Sequence, residues 1–108
     1  MIINGLYLFD EQSTTGDSEI LYNTKGTILV LQVKCDSTFE VAVKGCLQAD
    51  KDNYNDLAAI NMGSLEEATE ITSEGIYQVD ISGCKKIKLT LDSIDDKPIT
   101  IYGAVKEG

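Results

Sequence analysis

The sequence contains no histidine and no tryptophan, one proline, and three cysteines without a CxxC spacing. The absence of imidazole excludes His-assisted serine or cysteine triads and acid–base catalysis by histidine, and removes the ligands of most transition-metal sites. A glycosidase would need two carboxyl groups in a cleft, whereas the acidic residues fall mostly in predicted turns or on outward strand faces. We therefore expect no enzymatic activity, no metal and no cofactor.

Long apolar runs are missing as well. No stretch of about 18 apolar residues could cross a membrane, and the opening MIINGLYLFD lacks the basic and long apolar regions of a secretion signal. We expect a protein that is made in a cytoplasm and stays soluble there.

Basic side chains are few: eighteen acidic residues face nine basic ones, giving a formal charge of −9. Affinity for nucleic acid and for anionic membranes comes mainly from lysine and arginine, so neither partner is expected. The charge indicates either solubility and repulsion between copies, or a surface that complements a basic partner.

The chain is rich in apolar residues that alternate with polar ones. Its 108 residues are 43% apolar, enough for one domain with a modest core. Short alternating stretches bounded by turn residues predict an all-β, antiparallel β-sandwich or jelly roll of about eight strands, forming a single domain over 1–108 with a flexible loop at 10–19. The candidate strands are 6–9, 19–22, 27–35, 39–45, 57–62, two within 75–91, and 99–105.

The alternation also predicts which side chains face the core. Every second residue of the four clearest strands is apolar, and these residues should share one buried face. They are Leu29, Leu31, Val33, Phe39, Val41, Val43, Tyr77, Val79, Ile81, Ile87, Leu89 and Leu91.

A hairpin is predicted around the polar loop Asp36–Thr38. A three-residue loop places Cys35 opposite Phe39 and Val33 opposite Val41, all on one face, whereas a two-residue loop would mix apolar and polar faces. The apolar pattern therefore favours the three-residue loop.

The three cysteines are predicted to be free. In that hairpin, Cys35 and Cys46 lie more than about 20 Å apart, against a limit of about 7 Å between the Cα atoms of a disulfide. We expect all three thiols, including Cys84, to act as small apolar side chains.

Only the segment SLEEATE at 64–70 hints at a helix. Ser64 and Glu67 have the spacing of a capping box, but the apolar stripe is poor, so either one helical turn or a loop is expected.

The acidic stretch DKDNYND invites comparison with a calcium loop. It lacks the glycine and the glutamate of an EF-hand, which excludes that motif. Two alternatives remain: a loop calcium site formed by Asp50, Asp52 and Asp56, or a solvated loop whose Tyr54 and Leu57 pack on the core.

Lys85, Lys86 and Lys88 form the densest basic group of the chain. A phosphate site would need more backbone amides from a glycine-rich loop than Gly83 supplies. The lysines are expected either to protect an exposed strand edge or to contact an acidic patch on a partner protein.

Tyrosines are the candidates for a carbohydrate platform in a chain without tryptophan. Of Tyr7, Tyr22, Tyr54, Tyr77 and Tyr102, the alternation places Tyr77 inward and Tyr102 outward. A carbohydrate-binding β-sandwich module is therefore one alternative function.

The run TSEGIYQVDISGCKKIKLTLDS, followed by ITIYGAV, resembles a pattern of small β-sandwich structural proteins of tailed bacteriophages. The strand TILVLQVKC and the segment NYNDLAAINM look similar too, so the likeness covers 27–105, with Tyr54 where a tryptophan is expected. The matching positions are Thr72, Gly75, Tyr77, Val79, Ser82, Gly83, Ile87, Leu89, Ile101, Tyr102 and Gly103.

This resemblance implies a non-enzymatic virion protein assembled in the host bacterial cytoplasm. It implies capsid decoration first, with the protein bound to the major capsid protein or another virion protein on the outer head surface. The copies would be a homo-oligomer or bound to the lattice, where repetition adds avidity. A tail or baseplate accessory domain is the next alternative.

Overall fold

The structure is a computed structural model that describes residues 2–23 and 25–107. It is all-β, as predicted, with two antiparallel sheets packed together as a sandwich. The strands of the described residues are β1 (Ile2–Gln12), β2 (Gly16–Asp17), β3 (Leu21–Tyr22), β4 (Gly26–Cys35), β5 (Phe39–Cys46), β6 (Asn55–Leu57), β7 (Ala59–Asn61), β8 (Glu67–Ala68), β9 (Glu70–Ile71), β10 (Gly75–Asp80), β11 (Lys86–Ile94) and β12 (Ile99–Glu107).

Each sheet has six strands. Sheet A has the order β1-β12-β4-β10-β7-β8, and sheet B has the order β2-β11-β5-β6, with β3 also pairing with β11 and β9 with β5. Within the described ranges, no helix is long and apolar enough to cross a membrane.

The core lies between the two sheets and consists of the side chains that alternation predicted to face inward. All twelve are buried; Tyr77, at 5% exposed, is the most accessible of them. Burying a large aliphatic or aromatic side chain contributes about 1.5–3 kcal/mol, so this layer is the main force holding the sheets together. The same cluster also contains Leu8, Phe9, Cys35, Ala59, Ile71, Cys84, Ile99 and Ile101.

The hairpin predicted around Asp36–Thr38 is wrong. The loop has the expected bounds, but it crosses between the sheets: β4 pairs with β12 and β10, and β5 pairs with β11, β6 and β9. Val33 and Val41 are both buried because their strands contribute to the core from opposite sheets, not because they are cross-strand neighbours.

The cysteines are free and buried, as predicted, although the register used to separate them does not exist. Burial raises the pKa of the Cys84 thiol, with a smaller contribution from the charge of Asp80. Cys46 donates its thiol hydrogen to the carbonyl of Gln48 at 3.2 Å.

Part of the loop predicted at 10–19 is strand. β1 continues to Gln12, and β2 at Gly16–Asp17 pairs with Leu91 and Thr90 of β11. Twelve strands are found where about eight were expected, because β2, β8 and β9 were not predicted and the strand predicted at 57–62 is two strands, β6 and β7.

The helical turn considered for 64–70 is wrong, and the segment forms short strands. Glu67–Ala68 pairs with β7, and Glu70–Ile71 pairs with β5. Ser64 Oγ accepts a hydrogen bond from the Glu66 amide rather than capping a helix, and Leu65 has a φ of +63°. The strand predicted at 57–62 is divided between β6 in sheet B and β7 in sheet A.

Candidate functional site

The three lysines predicted to contact a partner have different surroundings. Lys85 is exposed, whereas Lys86 is only 4% exposed. Lys86 Nζ lies 2.8 Å from Asp52 Oδ1, and Lys88 Nζ lies 2.9 Å from Asp17 Oδ2. Two of the three are therefore engaged within the molecule.

Tyr54 joins those two ion pairs. Its ring centroid lies 4.4 Å from Lys88 Nζ and 5.4 Å from Lys86 Nζ, within the range of cation–π attraction. The hydrogen bond between Lys86 and Asp52 lowers the pKa of Asp52 and raises the pKa of Lys86. Lys86 thus connects the 50–57 segment to β11, and Lys88 connects β2 to β11.

The prediction that these lysines protect an exposed strand edge is wrong for β11. Lys86 is paired with Cys46 of β5 on one side and with Tyr22 of β3 on the other. β11 is therefore an inner strand, and its lysines lie on the outer face of sheet B rather than at an edge.

Lysines also engage the acidic loop considered for calcium. Asp52 binds Lys86, and Asp56 Oδ1 lies 3.9 Å from Lys44 Nζ. Among the residues that the structure describes, no three His, Cys, Asp or Glu side chains form a group that could hold a metal ion. Leu57 packs against the core, as the solvated-loop alternative expected, whereas Tyr54 lies against Lys86 and Lys88 rather than in the core.

A second candidate site lies on the outer face of sheet A, where Tyr7 of β1 is paired with Tyr102 of β12. The two rings meet edge to face, with centroids 5.2 Å apart and an interplanar angle of 72°. Tyr7 is 58% exposed and Tyr102 is 40% exposed, so this aromatic pair is open to solvent.

Gly5 leaves room for the Tyr102 ring to lie against β1. A Cβ atom at residue 5 would collide with the hydroxyl end of that ring, so any larger side chain would displace it. The ring therefore lies directly against the β1 backbone, and the aromatic pair is held by strand pairing and by this close approach.

Polar side chains complete a cleft beside the rings. The cleft of about 550 Å³ is lined by Tyr7, Gln32, Lys34, Thr100 and Tyr102, and we call it the tyrosine cleft. Thr100 Oγ1 accepts a hydrogen bond from the Glu11 amide at 3.1 Å. Within the described part of the chain, no hydrogen bond or ion pair engages the side chains of Gln32 or Lys34.

Sequence reasoning found only part of this cleft. It placed Tyr102 outward and Tyr77 inward, and both predictions are confirmed; the Tyr77 hydroxyl donates to the Ser73 carbonyl at 2.7 Å. The alternation could also have placed Gln32 and Thr100 outward. It could not have shown that β12 lies between β1 and β4, which is what brings these residues together.

No protein-family model and no curated protein matches this chain. Its fold is similar to that of two solved proteins, each 14% identical to it. The SPBc2 prophage-derived protein YomS has a TM-score of 0.80, covering 97% of this chain and 94% of that one. The PBSX exported protein XepA has a TM-score of 0.87, covering 97% of this chain but 37% of that one.

Proposed function

We propose that this chain is a non-enzymatic structural protein of a bacteriophage particle that decorates the outer surface of the head. The observation that carries the phage assignment is the fold it shares, over almost the whole of both chains, with a prophage-derived protein. The resemblance of 72–93 and 99–105 to small virion proteins supports the same class.

The charge of the molecule supports the outer surface rather than the interior of the head. A formal charge of −9 opposes binding to packaged nucleic acid. Intramolecular ion pairs occupy Lys44, Lys86 and Lys88, which reduces the cationic surface left for phosphate groups.

The local chemistry supports a binding role rather than catalysis. Lys86 and Lys88 lie between carboxylates and an aromatic ring, where they stabilise the sandwich. The Tyr77 hydroxyl also has a structural role, because it donates a hydrogen bond to the Ser73 carbonyl and accepts one from the Asn61 side chain.

A tail or baseplate accessory domain is the second candidate. The similar fold makes up 37% of the longer XepA chain, so this sandwich also occurs as one part of a larger protein. A domain of that kind suits attachment to a larger assembly.

Purified heads and purified tails separate the two candidates. We expect tagged protein to co-sediment with undecorated heads at a fixed number of copies per capsomer and not with tails. Binding to tails alone would favour the accessory role, and binding to neither particle would contradict both.

Lys85 is the lysine of the predicted contact group that can reach a partner without breaking an ion pair. We expect Lys85→Glu to weaken head binding by more than about tenfold, because like charges across an interface cost several kcal/mol. The matched control is Lys106→Glu, the same charge reversal at an exposed lysine of sheet A.

The measurement is a binding isotherm on heads, together with the melting temperature of each variant. Equal binding by Lys85→Glu and the unchanged protein would remove Lys85 from the contact surface. An equal loss in both variants would mean that overall charge, rather than this position, controls binding.

A further inference from the structure

We propose that the tyrosine cleft on the outer face of sheet A binds a neutral carbohydrate, with a pyranose ring packed against Tyr102 and Tyr7. This site is separate from the lysines of sheet B and goes beyond the proposed role in the virion. It requires neither binding to heads nor the contact predicted for Lys85.

The aromatic pair supplies the apolar part of the site. A pyranose ring presents C–H groups on its faces and hydroxyl groups around its rim, which matches the apolar ring and polar tip of tyrosine. Tyr7 and Tyr102 offer two such rings set edge to face, and both are exposed. Tyr22 is more exposed, at 72%, but forms no aromatic pair among the described residues.

Three polar side chains supply hydrogen bonds beside the rings. Gln32 lies opposite Tyr102, and Lys34 lies opposite Thr100, across the β4–β12 pair. The glutamine amide both donates and accepts, the ammonium group donates, and the threonine hydroxyl, which already accepts from Glu11, retains its own hydrogen to donate. A few polar groups beside an apolar wall are what a small-molecule site needs for orientation.

The cleft is organised before any ligand arrives. Both tyrosines are on paired strands of one sheet, and the absence of a side chain at Gly5 allows the Tyr102 ring to approach β1 closely. Sites held by rigid elements lose less conformational entropy on binding than sites on mobile loops. This preorganisation lowers the entropic cost of holding a sugar in a shallow cleft.

The surrounding charge favours a neutral sugar over an acidic one. Beyond Lys34, the adjoining depression is bordered by Glu11, Asp36 and Glu74, against one further lysine, Lys97. These carboxylates and the net charge of −9 repel a glycan that carries carboxylate or phosphate groups. Lys34 then acts as a hydrogen-bond donor rather than as half of an ion pair.

The test is an NMR titration of the ¹⁵N-labelled chain with cellotriose, maltotriose and the N-acetylglucosamine trimer, with trigalacturonate as the acidic comparison. We expect at least one neutral trisaccharide at millimolar concentration to shift the amide signals of Tyr7, Gln32, Thr100 and Tyr102. Trigalacturonate should bind more weakly.

Matched variants locate the site. Tyr102→Ala and Gly5→Ala should each weaken sugar binding by about tenfold or more, as expected when a central contact is removed or displaced. Tyr102→Phe keeps the ring and should retain binding, and Tyr22→Ala, which removes an exposed tyrosine of sheet B, should have no effect. A melting curve for each variant reports whether the fold is kept.

Several outcomes would overturn the proposal. If none of the three neutral trisaccharides shifts these amides, or if Tyr22→Ala and Tyr102→Ala weaken binding equally, the cleft is not the sugar site. Tightest binding by trigalacturonate would contradict the neutral ligand. Loss of head binding by Tyr102→Ala without any sugar binding would make this face a protein contact. Because the titration uses the chain alone, its result is independent of decoration.

Discussion

At the scale of single residues, neighbours rather than residue type decide what a side chain does. Lys85, Lys86 and Lys88 lie close together in the sequence, yet Lys85 is exposed, Lys86 is buried against Asp52 and Lys88 is half-buried against Asp17. The hydrogen bond from Lys86 to Asp52 raises the lysine pKa and outweighs the opposing effect of burial. Lysines that lie close together in a sequence therefore need not form a basic surface.

The carboxyl groups of Glu70 and Glu40 show the opposite arrangement. The Glu40 side chain, across the β5–β9 pair, is the main cause that raises the pKa of Glu70, and the charges of Asp92 and Asp56 raise it further. A raised pKa means that the stabilising contribution is present at acidic pH and is lost as the pH rises through the raised value. At neutral pH the two charges repel each other.

We therefore predict that Glu70→Gln is more stable than the unchanged protein at neutral pH and that this difference shrinks in acid. Urea denaturation at both pH values measures it, with Glu67→Gln, another exposed glutamate in a short neighbouring strand, as the control. Equal stability of Glu70→Gln and the unchanged protein at neutral pH would show that the repulsion is negligible.

At the scale of elements, the two sheets are tied together by loops as well as by the core. The buried side chain of Asn23 donates hydrogen bonds to the Gly26 carbonyl at 2.9 Å and to the Cys84 carbonyl at 3.1 Å. Its oxygen accepts from the Gly26 amide at 2.8 Å. One amide thus links the segment before β4 in sheet A to the loop that leads into β11 in sheet B.

Asn23→Ala should lower the free energy of unfolding by about 2–3 kcal/mol, because it leaves buried backbone groups without partners. Chemical denaturation measures the loss. The control is Asn53→Ala, at an exposed asparagine whose side chain binds Gln48, and its effect should stay within about 0.5 kcal/mol. Equal effects of the two substitutions would show that the Asn23 hydrogen bonds do not stabilise the fold.

At the scale of the whole molecule, the outer faces of the sandwich differ in chemistry. Sheet B carries ion pairs around Tyr54, whereas sheet A exposes apolar side chains such as Tyr7, Ile60, Ile76 and Tyr102. This asymmetry supports separate roles for the two faces, with the sugar site proposed on sheet A and the predicted lysine contact on sheet B.

The excess of negative charge should also make stability depend on salt. Raising the ionic strength from about 0.01 M to about 0.15 M shortens the screening length from about 30 Å to about 8 Å. Since the formal charge is −9, screening should reduce the overall repulsion and raise the melting temperature.

Differential scanning calorimetry across a sodium chloride series measures this effect. A melting temperature that falls with added salt would mean that the ion pairs of Asp17, Asp52 and Asp56 contribute more to stability than overall repulsion removes.

The sequence by itself determined the all-β class and the core-facing residues. Alternation does this locally, because a period of two sends Leu29, Leu31 and Val33 to one side of a strand whatever lies beside it. For the same reason it placed Tyr102 outward.

Only the tertiary structure decided which strands pair. β5 could lie beside β4 as its hairpin partner or across the core in the other sheet, and alternation satisfies both arrangements. Pairing of β12 between β1 and β4 assembled the tyrosine cleft, and pairing of β11 with β5 brought Lys86 and Lys88 to Tyr54. Such contacts join residues far apart in the chain, and a local pattern carries no information about them.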